Sequence, residues 1–350
     1  MKLKIIILSI FFCALYACNR TDNSMATFDS SFSVHQELKS NLMFGDELML
    51  GQPFLMMYVD SSLVIYDHAS DSIFTLIDLN KNERVIHFGK RGQGKGELLQ
   101  VFSLSRMSSD SLLGIYDCFQ HKLFQTNIEE IKKGHFDLNL VKTDSCYSNR
   151  LFESKFHGFV GLGFYEKGMF SLTVDDTTSY FYEYPYQDKR EHLISNRLRG
   201  LAYQGSLCMN RDRDKLVYAV YSSPIFSIYS VNDTSIKKHY EFIGGYPEYK
   251  TEESVDGFSA PMSAHNKQAF IATYATDSYI YLLYSGKSFE EHQMDAFKSS
   301  TIYRVTWDGK SDCKFELDCP ITNFCVSDFD NTIYAVSERE DLELVYFKIN

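Results

Sequence analysis

The chain has 350 residues, with 46 acidic against 35 basic side chains and a net charge of −11. An acidic domain of this kind repels nucleic acid and anionic lipid surfaces, so nucleic-acid binding is not expected. The length is large for one ordinary domain but normal for a closed β architecture, and 28 Phe and 24 Tyr against a single Trp, Trp307, supply an aromatic core.

In chain order, Lys2 and Lys4 precede an apolar run from Ile5 to Leu15 that is too short to span a bilayer. The run ends in Leu15-Tyr16-Ala17-Cys18, which resembles the bacterial lipobox. That resemblance implies a signal peptide over residues 1–17, lipid attachment at Cys18, a flexible tether over 18–27 and a folded domain over 28–350. It also implies export and anchoring to a membrane by the N-terminal lipid. The expected address is the cell envelope, as an outer-membrane lipoprotein facing the periplasm or the cell surface. Asn19 stands where an inner-membrane retention signal usually has Asp.

From residue 54 one hairpin recurs six times: an apolar strand, a short turn rich in Asp, Ser, Asn or Gly, and an alternating strand. The pairs are 54–59 with 63–67, 102–107 with 112–117, 151–156 with 159–164, 206–210 with 215–221, 269–275 with 279–284, and 321–326 with 332–337. The markers Tyr66, Tyr116, Leu162, Tyr218, Tyr281 and Tyr334 step by 50, 46, 56, 63 and 53 residues. Each copy is followed by a third and usually a fourth strand. Four strands per repeat of this length predict an all-β fold, a six-bladed β-propeller of four-stranded antiparallel blades. The last copy has only three strands, so a strand upstream of the first blade must close the ring, and Phe28–Glu37 is the expected segment.

Between the first two blades, Gly89–Gly96 fits the first seven places of the phosphate loop G-x-x-x-x-G-K-[ST]. Its eighth place is Gly96, which has no hydroxyl for a metal ion, and strand-like sequence resumes where a helix is needed. A glycine connection with positive φ is expected there instead. The run FGKRGQGKGEL resembles the G-x-G-P-G-E connection of TolB-like six-bladed propellers, common as lipoproteins of Bacteroidetes. The stretch from Ile302 to Val336, Tyr281–Lys287 and Ala202–Gly205 resemble the same family, over about residues 30–350 in all. Lys95 departs from the family's proline. The resemblance implies a binding or scaffolding role.

In such a ring, connections from one blade's outer strand to the next blade's inner strand crowd one face. Pro185–Tyr203 and Ile243–Gln268 are longer than a turn requires, and long loops on a rigid scaffold carry binding. Lys90 and Arg91, with Arg197, Arg199 and Tyr203, are the candidate ligand-binding residues, a cationic mouth for an anionic or sugar ligand. Tyr246, Tyr249 and Phe258 either stack on a sugar or pack the loop down. Ser288–Ser300 begins with a capping box and reads as a short helix, and its Glu290, Glu291 and His292 point in different directions. Cys118, Cys146, Cys208, Cys313, Cys319 and Cys325 are read as scattered thiols, with one disulfide near the C-terminus as the alternative.

The reading is a lipid-anchored, non-enzymatic module with no cofactor, binding a protein, peptide or glycan partner across its loop-rich face. The alternative is a metal-dependent hydrolase or lyase. It requires at least three Asp, Glu, Asn or His side chains from different inner strands to meet in the central channel. A third possibility, a structural subunit joined through its rim, predicts an exposed apolar patch on outer strands.

Overall fold

The computed structural model describes residues 24–44, 48–80, 84–254, 257–338 and 341–349. The expected signal peptide and Cys18 lie outside these residues. Blades 1 to 4 are separate antiparallel sheets and blades 5 and 6 form one continuous sheet, each blade beginning at an inner strand and adding strands outward. Blade 1 runs Pro53–Val59, Ser62–Asp67, Ser72–Asp78 and Arg84–Arg91; blade 2 runs Val101–Arg106, Leu112–Asp117, Lys122–Asn127 and Asn139–Thr143. Blade 3 comprises Arg150–Glu153, Phe159–Leu162, Phe170–Val174 and Thr177–Phe181. Blade 4 comprises Gly205–Met209, Lys215–Val220, Ile225–Val231 and Ile236–Ile243. Blades 5 and 6 share one long strand, Ser311–Val326, which is outermost in the first and innermost in the second. Blade 5 begins with Phe270–Ala275, Tyr279–Tyr284 and Ser299–Thr306, and blade 6 continues with Thr332–Glu338 and Leu342–Lys348.

Each expected hairpin is present, within a few residues of its expected ends. The tightest turns, Asp60-Ser61 and Asp175-Asp176, place both residues at φ between 46° and 62°. Asp tolerates this left-handed geometry, which matches the twist of the two strands it joins. Side chains on both faces of each sheet pack against the neighbouring blades, so even second strands such as Leu63–Tyr66 are buried throughout. The recurrent tyrosines also tie the ring by their hydroxyls. Tyr66 accepts from the Val101 amide at 3.5 Å, and Tyr116 donates to the Ser148 carbonyl at 2.9 Å.

The ring is closed by the N-terminal segment, but not by the expected residues. Ser40–Leu42 pairs antiparallel with Val345–Phe347 as the fourth strand of blade 6. Of the expected strand Phe28–Glu37, the first part is helical, because Met25–Ser30 forms a turn of helix with Ser24 as its cap. That helix also takes up the end of the expected tether. Phe28 on that turn and Phe32 just beyond it bury against Phe226, Phe242 and Tyr303. His35–Leu38 then adds a parallel strand outside blade 5, against Lys314–Leu317. The segment thus clasps blades 4, 5 and 6. No helix among the described residues is long and apolar enough to cross a membrane.

Candidate binding site in the central channel

The glycine connection is not a phosphate site. Gly89 and Gly96 have φ of 74° and 80°, and the chain continues into a two-residue strand, Glu97–Leu98, where a phosphate loop needs a helix. Glu97 folds back so that its carboxylate accepts from the Gly94 amide at 2.8 Å. Two aspartates at equivalent places, Asp67 and Asp117, staple the connection entering their own blade to the next turn. Asp67 accepts from the amides of Gly51, Gln52 and Ala69, and Asp117 from those of Leu99, Gln100, Phe119 and Gln120. Burial pushes the Asp67 carboxyl up, but its amide donors outweigh that and hold it below the ordinary aspartate value.

The expected cationic mouth is not assembled. Lys90 and Arg91 end the outer strand of blade 1, where the Arg91 guanidinium donates to the His68 carbonyl at 2.6 Å. Arg197 and Arg199 lie on the helix Asn196–Ala202 between blades 3 and 4, on the far side of the ring. Arg197 covers the Phe258 ring at 3.5 Å. Arg199 is 2 % exposed and donates to the Tyr184 carbonyl at 2.9 Å and to Glu183 at 2.6 Å. Tyr203 is fully buried and donates to Glu191 at 2.7 Å, where Tyr249 donates too, at 2.8 Å. Arg199 and Tyr203 therefore hold the long connections in place, and Tyr249 and Phe258 pack them down. Ser288 caps the short helix Phe289–His292 by accepting from the Glu291 amide at 3.4 Å, one arm of the expected capping box. Glu290 pairs with His265, and among the described residues no three His, Cys, Asp or Glu side chains gather as a metal site. No disulfide forms among the six described cysteines.

What the fold does assemble lies on the ring axis. The inner strands of all six blades line a cavity of about 660 Å³, within the size range of small-molecule sites. Its wall is largely apolar, with Phe54, Phe102, Phe152, Leu207, Ile271 and Phe324 among the lining side chains. At the loop-rich end, Arg150 opens the inner strand of blade 3 and donates to the Tyr221 hydroxyl at 2.7 Å; Ser206 donates to the same oxygen at 3.4 Å.

The opposite end is crossed by ion pairs. Asn210 shapes the first turn of blade 4 by accepting from the Asp214 and Lys215 amides at 3.0 and 2.9 Å. That turn presents Arg211, which donates through Nε to Asp110 of blade 2 at 3.0 Å and lies 3.6 Å from Asp328 of blade 6. A side chain touching alternate blades 2, 4 and 6 sits on the axis. Arg106 also pairs with Asp328, and Arg213 with Glu153 at 2.5 Å. Burial pushes the Asp328 carboxyl above its ordinary value against the pull of the two arginines. Sequence reading missed Arg150, Tyr221 and Arg211. The only signal for Arg150 was a cation at the entry of an inner strand.

Residues 30–329 match the family described as TolB-like 6-blade propeller-like. The chain belongs to this TolB-like family. Among solved structures, an exported protein of Bacteroides fragilis is similar to this TolB-like propeller at 10% identity and a TM-score of 0.52, covering 90% of this chain and 99% of the other. Raptor of Chaetomium thermophilum gives 11% identity and a TM-score of 0.50 over 89% of this chain and 29% of its own. Regucalcin of Agrobacterium tumefaciens gives 9% and 0.48, over 91% and 98%. At such identities these likenesses concern the fold alone. No curated protein matches the chain.

Proposed function

We propose that this TolB-like propeller is a non-enzymatic docking module of the cell envelope, held by lipid on Cys18, that binds a partner protein across its loop-rich face. The TolB-like fold supports a binding or scaffold module in general. The observation that carries the finer reading is where exposed apolar side chains lie. Met49, Phe119, Tyr147, Leu193, Met262 and Met294 project from that face, from the connections entering blades 1, 3, 4 and 5 and from second turns of blades 2 and 5. Leu193 is 85 % and Met49 86 % exposed. Outer strands show far fewer, Leu42 and Leu140 among them, which weighs against joining through the rim. Apolar and aromatic side chains spread over one face suit protein docking better than the isolated ring stacking of a sugar site.

The test is site-specific photo-crosslinking in intact cells of the source organism. Photoreactive residues replace Tyr147, Leu193 and Met294 on the face, Leu42 and Leu140 on the rim, and Phe329 on the opposite side. A discrete adduct from the face positions alone is expected. Adducts from the rim positions alone would overturn the reading. Labelling with a radioactive fatty acid, lost on Cys18→Ala, checks the anchor.

A further inference from the structure

We infer that the central channel binds a small organic anion with an apolar body, its carboxylate or similar head held by Arg150 and Tyr221. This site lies beneath the docking face and does not depend on a protein partner. Arg150 lines the cavity and forms no ion pair among the described residues; its guanidinium bonds to the Tyr221 hydroxyl. A guanidinium has five N–H donors in a planar fork suited to a carboxylate, so most of its donors remain available. The Tyr221 oxygen accepts from both Arg150 and Ser206, which turns its own proton elsewhere, and no described side chain or carbonyl receives it. Two donors thus converge at the mouth on a position where an anion's oxygens would sit.

Between mouth and floor the wall is aromatic and aliphatic, from Phe54, Phe102, Phe152, Leu207 and Phe324, which suits an apolar body rather than a polyhydroxylated one. Arg150 selects an anion even though the protein as a whole is acidic, because it is half-buried at the channel mouth, where its field is less screened than on the open surface.

The test is calorimetric titration of the purified protein with 4-phenylbutanoate, 4-phenylbutan-1-ol and 4-phenylbutylamine, which share one body and differ in head charge. The acid is expected to bind saturably and about tenfold more tightly than the alcohol, the worth of one charged hydrogen-bonded pair, with the amine weaker still. Arg150→Gln should abolish the preference for the acid. Tyr221→Phe, which keeps the ring and removes the proton, should weaken the acid alone. If Arg150→Gln does not fold, the Tyr221→Phe comparison decides by itself. Absence of saturable binding of the acid, equal binding of acid and alcohol, or an unchanged preference in both variants would overturn the inference.

Discussion

The Phe28 ring lies 4.7 Å from that of Phe242, joining the start of the described chain to the outer strand of blade 4. Phe28 is 5 % exposed, and Asp29 beside it pairs with Lys314 at 2.7 Å and accepts from the Tyr303 hydroxyl at 2.6 Å. The clasp therefore has an apolar anchor and a polar latch. Phe28→Ala should cost about 3–5 kcal/mol of unfolding free energy, the usual loss for a buried Phe, read from urea denaturation. A loss below about 1 kcal/mol would show that the clasp is not part of the cooperative unit.

Asp67 sets a pH dependence. Its carboxyl is held below the ordinary value when folded, so its stabilisation is fully present above about pH 4 and is lost as pH falls through the lower folded value. Asp67→Asn should lower stability at pH 7 by about 2 kcal/mol and flatten the acid limb of the stability curve. An acid limb identical to that of the parent protein would refute the assignment.

Arg199 separates a structural from a ligand-binding role. Its Nη1 bond to the Tyr184 carbonyl and its pair with Glu183 fix the connection into blade 4. Arg199→Ala should cost about 2 kcal/mol by leaving these groups unsatisfied. Arg197→Ala, which removes only a cation over Phe258, should cost under about 1 kcal/mol. Thermal unfolding of both variants gives the comparison, and equal losses would contradict it.

The thiols offer another check. Burial pushes Cys118 and Cys208 each up to about 12, and Cys208 also donates to the Thr273 carbonyl at 3.1 Å. Both should resist thiol reagents at pH 8 in the folded protein and react promptly in denaturant, since the thiolate is the reactive form. Fast labelling of Cys208 in the native state would show the channel wall to be open to solvent.

The hairpins were legible because each second strand is a short, mostly apolar run entered through a turn rich in Asp, Ser, Asn or Gly. Closure was legible only as a need. Ser40–Leu42 is too short to display a period, while the four-residue spacing of Phe28 and Phe32 fits one face of a strand as well as a helix. The cationic mouth was misplaced for a different reason. Blades 1 and 4 lie opposite each other in the ring, so Arg91 and Arg197 cannot meet, and the burial of Arg199 depends on Glu183 across a folded connection. Arg150 was a lone charge at a strand entry, and its importance rests on Tyr221, which only the ring brings beside it.

Arg211, reaching from blade 4 to Asp110 and Asp328, bars the base of the channel with ion pairs, and the loop-rich end is its neck. A protein seated on the loop-rich face would cork that neck and slow the escape of whatever was inside. Contents and cork would then read each other's presence: if docking tightened the hold on the small anion, the anion would strengthen docking by the same factor.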